Sequence, residues 1–105
     1  MKCQRRCATR EPISDRHRAN TERIVSLTGT AKYRVPDVLN HAARLIGEVK
    51  NVGRLSYTDQ LKDFVLYAQK NGYRFELILR QGAVISDELQ QAVRSGAIVL
   101  KRIRM

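Results

Sequence analysis

The stretch YRVPDVLNHAARLIGEVKNV, Tyr33 to Val52, decides how the rest of the chain is read. Tyr33 to Leu39 favours an extended chain, and Leu45 to Val49 is a second extended run close behind it. Pro36 has no N–H and restrains Val35, so the first strand is either at a sheet edge or broken there. Asn40 to Arg44 is too short for a crossover helix, so the two strands form an antiparallel hairpin. His41, Ala42 and Ala43 have room for one helical turn and nothing longer.

Side chains two apart in a strand share a face, so Glu48 and Lys50 project together while Val49 turns the other way. If Asn40 lies opposite Leu45, Asp37 falls opposite Glu48 and joins that face. A register one residue shorter puts Asp37 on the wrong side unless a bulge intervenes. Two converging carboxylates repel each other and need a counterion. A hard divalent cation supplies it: magnesium, with manganese as the alternative. On that reading Asp37 and Glu48 hold the ion, the Val49 carbonyl adds a ligand, and bound water becomes acidic enough to attack a phosphate. Lys50 then orients the water or neutralises charge on the phosphate. The competing reading makes Lys50 the counterion of a Glu/Lys pair on a solvated sheet face, with Asp37 an exposed turn residue.

The flanking sequence supplies a scaffold. A short strand is expected around Ile24 to Leu27, closed by a turn at Thr28-Gly29-Thr30. A helix spans Tyr57 to Lys70, with Leu61, Phe64, Val65 and Ala68 on one stripe, Ser56 or Thr58 as its cap, and Asn71-Gly72 as its stop. Tyr73 to Leu79 alternates, with Phe75, Leu77 and Leu79 on one face. Ser86 opens a second helix whose apolar side is Leu89, Ala92 and Val93. Gly96 ends it, and Ala97 to Ile103 is a last strand with Ile98 and Leu100 inward. That order predicts an α/β protein of the α+β type, a mixed sheet with helical cover.

The 105 residues suit one domain, divided into a basic leader over 1–23 and a folded body over 24–105. Twenty Lys and Arg stand against ten Asp and Glu. That excess selects nucleic acid, acidic proteins or anionic lipid as partners. Lys32, Arg34, Arg54 and Arg80 lie near the hairpin or end the next strand and are candidate phosphate contacts, which position a nucleic acid without choosing its sequence. No apolar run is long enough to span a membrane, and the leader lacks the apolar core of a secretory signal. Cys3 and Cys7 read as free thiols, since zinc would need further ligands from His17 and His41.

Four blocks carry a family resemblance: LTGTAKYRVPD at Leu27–Asp37, GEVKNV at Gly47–Val52, LSYTDQLKDFVLYAQ at Leu55–Gln69 and FELILR at Phe75–Arg80. Pro36-Asp37 followed by Glu48-Val49-Lys50 resembles the catalytic pattern of the restriction-endonuclease-like nucleases. The blocks together resemble the branch found as toxin domains of bacterial polymorphic toxins. The resemblance implies a nuclease core with Asp37 and Glu48 as metal ligands and Lys50 as catalytic lysine. It also gives Gln60, on the following helix, a place in the site, with Tyr67 two turns further along. It implies a front helix packed on the sheet, which is truncated or missing here. The activity expected is magnesium-dependent endonucleolytic cleavage, of DNA in preference to RNA, by a bacterial toxin effector. Such an effector acts in the cytoplasm of the producing or a target cell, opposed by an acidic immunity protein. A noncatalytic nucleic-acid-binding domain, or an inactive remnant that binds the immunity protein, is the alternative.

Overall fold

The computed structural model describes residues 20–104. Eight short strands and two helices follow in order: β1 (Ile24–Val25), β2 (Tyr33–Arg34), β3 (Val38–Asn40), β4 (Leu45–Lys50), β5 (Arg54–Leu55), α1 (Asp59–Asn71), β6 (Arg74–Arg80), β7 (Val84–Ile85), α2 (Asp87–Arg94) and β8 (Val99–Ile103). The central sheet has the order β3-β4-β6-β8. Its β3–β4 pair is antiparallel, whereas β4–β6 and β6–β8 are parallel. This is the expected mixed sheet with helical cover, consistent with a restriction-endonuclease-like core.

Local chemistry explains the element ends. Thr58 and Ser86 cap α1 and α2, each side chain accepting a hydrogen bond from the backbone N–H three residues on. Gly72 closes α1 in the left-handed conformation, φ 73°, where a Cβ would be strained. The stripe Leu61, Phe64, Val65 and Ala68 is buried against Ile46, Phe75, Leu77 and Leu79, and Leu89 and Ile98 extend the same core. Phe64 and Phe75 meet with ring centroids 5.6 Å apart. Alternate residues of β6 point away from this core. Among them Glu76 is nearly buried, and Arg74 and Lys101 neutralise it at 3.0 and 3.2 Å.

The extended run from Tyr33 is broken where Pro36 sits: β2 ends at Arg34 and β3 begins at Val38 as an edge strand. β2 pairs instead with β1 in a separate two-stranded ribbon. Two features were not foreseen. The two-residue strands β5 and β7 pair in parallel, and Asn20 to Arg23, assigned to the leader, are tied to the body. Asn20 donates its backbone N–H to the Asp37 carbonyl and its side-chain amide to the Pro36 carbonyl. Glu22 bonds His41 at 2.8 Å, and the Arg23 guanidinium lies over the Tyr33 ring at 4.3 Å. The expectation of a truncated or missing front helix, the rest of the leader and its cysteines fall outside the described residues.

The β1–β2 ribbon is too short to be stable by itself. It docks through buried Ile24 and through one polar clamp on α1. Asp63 is fully buried on the helix. Its carboxylate accepts from the Ser26 hydroxyl at 2.7 Å, the Thr28 N–H at 2.7 Å and Arg34 Nε at 2.9 Å. Burial alone would push the Asp63 carboxyl up, but these donors outweigh it and hold the group below its ordinary 3.8. Stability from this group is therefore fully present above 3.8 and is lost as pH falls through the lower folded value. Asp63→Ala leaves the Arg34 cation, the Ser26 hydroxyl and the Thr28 amide without their acceptor. Its expected cost is about 3–5 kcal/mol, read from urea unfolding at pH 7. A loss under about 1 kcal/mol would show that the clamp does not hold the ribbon.

Candidate functional site

The hairpin takes the register that aligns the acids. Asn40 pairs with Leu45, Leu39 with Ile46 and Val38 with Gly47, so Asp37 comes next, level with Glu48. A proline cannot donate to a ladder, and here the Pro36 and Asp37 carbonyls face Asn20 rather than β4. The Val49 N–H bonds the Asp37 carboxylate instead, at 2.8 Å from Oδ2. In return the Asp37 N–H donates to Glu48 Oε1 at 3.1 Å. These reciprocal bonds seat the aspartate side chain on β4 beside Glu48.

Lys50 completes the group. Its Nζ lies 3.4 Å from Glu48 Oε2 and donates to Gln60 Oε1 at 3.1 Å. Gln60 stands in the first turn of α1, where Thr58 starts the helix, and so reaches the end of β4. Glu48 is only 4 % exposed, so of the competing reading the fold keeps the Glu/Lys pair and an exposed Asp37 but not a solvated glutamate. Burial raises the Glu48 carboxyl above its ordinary 4.5, and repulsion from Asp37 adds to the rise; the Asp37 N–H and Lys50 oppose it.

The donor set suits a hard cation. Asp37 and Glu48 offer carboxylate oxygens, and the Val49 carbonyl follows Glu48 directly on β4. Among the described residues no group of three or more His, Cys, Asp or Glu converges. A cation here would therefore keep backbone and water ligands beside two carboxylates, the habit of magnesium.

The basic candidates divide. Lys50 and Arg80 end the parallel neighbours β4 and β6, and Arg54 opens β5 four residues after Lys50. Arg54 and Arg80 are exposed at the carboxyl edge of the sheet, where open α/β sheets bind ligands. Lys32 is exposed just before β2. Arg34 corrects its expectation. Its Nε is bound to buried Asp63 and its terminal nitrogen to the Thr30 hydroxyl at 2.8 Å, so the guanidinium is committed to the clamp. His41 and Tyr67 stand apart. His41, in the β3–β4 turn, bonds Glu22 and Tyr73, and Tyr67 packs edge-on against Tyr73. Asn20, Ser26, Thr28 and Asp63 were missed. Asp63 follows Leu61 by about 200° around the helix, away from the apolar stripe, so periodicity marks it as solvent-facing.

The chain belongs to the restriction endonuclease fold toxin 7 family, whose model matches residues 7–89. Membership of a restriction-endonuclease-fold toxin family points to nuclease toxin activity. The searches of curated proteins and of solved structures each found no match. Among the described residues, no helix is long and apolar enough to cross a membrane.

A buried carboxylate facing a second acid has a measurable signature. With its folded value raised, ionised Glu48 destabilises the cation-free protein; the effect is full above the folded pKa and absent below the ordinary 4.5. Glu48→Gln keeps an acceptor for the Asp37 N–H and removes the buried charge. Its melting temperature at pH 7, in chelator, is expected to equal or exceed that of the wild type. A drop of more than about 5 °C, or roughly 1 kcal/mol in a domain this small, rules this destabilisation out.

Proposed function

We propose that this member of a restriction-endonuclease-fold toxin family is a metal-dependent endonuclease that hydrolyses phosphodiester bonds, with DNA preferred over RNA. The observation that carries the reading is the meeting of Asp37, Glu48 and Lys50 over one end of the β3–β4 hairpin. Asp37, Glu48 and the Val49 carbonyl would hold a magnesium ion, with manganese as a substitute. Bound there, the ion supplies a Lewis acid for the phosphoryl oxygen and an acidified water.

The chain's own residues account for the rest. The ammonium of Lys50 has three N–H groups. Gln60 takes one and Glu48 faces another, so one remains for a non-bridging phosphate oxygen as charge develops there. Gln60 is thus a positioning residue that aims Lys50. Arg54, Arg80 and Lys32 supply sequence-independent phosphate contacts, in keeping with the net charge of +10. Toxin ancestry supports a bacterial origin, action in the cytoplasm of the producing or a target cell, and an acidic immunity protein as counterpart.

The test is incubation of the purified chain with plasmid DNA and structured RNA, in magnesium, manganese or chelator. Cleavage is expected with either metal and none in chelator. Asp37→Ala, Glu48→Ala and Lys50→Ala are each expected to lower the rate at least about 100-fold, the scale of losing one transition-state contact, with far-UV circular dichroism unchanged. Undiminished cleavage by Glu48→Ala would falsify the mechanism. Salt-sensitive binding without cutting, indifferent to chelator, would identify a noncatalytic nucleic-acid-binding domain instead.

A further inference from the structure

We propose that Asp63 is a positioning residue that sets the Asp37 carboxylate from the far flank of α1, acting through Arg34 and β2. The role deepens the nuclease reading because it concerns the same site, but its geometry is independent of any ligand. Arg34 precedes Asp37 by three residues in an extended, proline-stiffened segment. The ribbon that carries Arg34 shares no ladder with the central sheet. Its polar hold on the helix is the set of bonds from Ser26, Thr28 and Arg34 to Asp63.

Asp63 and Gln60 are three residues apart and therefore neighbours on the helix surface. Within one turn, α1 grips both arms of the site. Gln60 holds Lys50 at the end of β4, and Asp63 holds the strand leading to Asp37. The buried Pro36 ring and the two Asn20 bonds carry that hold onward to the Asp37 backbone. A salt bridge serving stability alone could sit anywhere in the fold. This one fixes the distance between the segment bearing Asp37 and the helix that aims Lys50.

The Val49 N–H reports the Asp37 side chain directly, since Oδ2 is its acceptor at 2.8 Å. Amide hydrogen exchange on the full chain, without metal, compares the wild type with Asp63→Asn and Arg34→Lys. Val49 protection is expected to fall at least about tenfold further than that of the β6 amides. Unchanged protection at Val49, or a fall only in step with β6, means that the clamp merely stabilises and overturns the proposal. If Asp63→Asn does not fold, Arg34→Lys keeps a cation beside the carboxylate and reads the same amide. Calorimetric titration with Mn2+ adds the functional arm, where the Kd is expected to rise about tenfold in the variants, or about 1.4 kcal/mol. Wild-type affinity in a folded variant overturns the positioning role. A wild type that binds no Mn2+ defeats the metal reading, and the Val49 amide alone then judges Asp63.

Discussion

The pair of hydrogen bonds between Asp37 and β4 is the constraint on which the site depends. An antiparallel ladder normally satisfies each inward N–H with a carbonyl of the facing strand. Here the facing chain leaves the ladder at a proline whose carbonyl is occupied by Asn20. The Val49 amide takes the Asp37 carboxylate. One backbone defect thus becomes a side-chain anchor, and it holds an acid against a second acid that repels it. The parallel neighbours β4 and β6 do the complementary work, since Lys50 and Arg80 end their strands at the same edge.

Much of this was legible because it rests on short-range rules. A short connection can only make a hairpin, and a period of two then puts Glu48 and Lys50 on one face. Asp37 joins them only in the register that sets Asn40 opposite Leu45, which the fold adopts. Thr58, Ser86 and Gly72 mark helix ends through bonds local to their own turns. What stayed hidden depends on distant cover. Arg34 looks like a free cation until Asp63, 29 residues later, is brought beneath it. Asp63 looks exposed because its flank of α1 is polar, and a ribbon of two-residue strands covers it. Asn20 looks like part of a tail because its partners are carbonyls, which leave no trace in side-chain patterning. The strands β5 and β7 are too short to show a period at all.

Two buried acids, Glu48 and Asp63, show how environment divides one chemical type into two roles. Both are desolvated, which disfavours the charge. Asp63 receives a guanidinium and two neutral donors and remains ionised below its ordinary range. Glu48 receives one backbone N–H and a more distant ammonium while facing another carboxylate, and it moves up. An acid satisfied within the protein is a fastening. One left under-compensated beside a like charge has something to gain from an incoming cation, and such groups cluster at functional sites.

The same contrast bears on why one helix holds both Lys50, through Gln60, and the strand leading to Asp37, through Asp63. Under-compensated charge tends to push its own neighbours apart, so a site of this kind needs restraint from outside the repelling pair. β4 cannot supply all of it, because Asp37 belongs to a segment that has left the sheet. Packing alone is a poor candidate, since the β1–β2 ribbon buries little besides Ile24 and Ser26. A fully satisfied buried ion pair is directional, and it ties a named atom of the ribbon to a named turn of α1. With Gln60 three residues earlier, the helix would hold both arms of the proposed site from one rigid body.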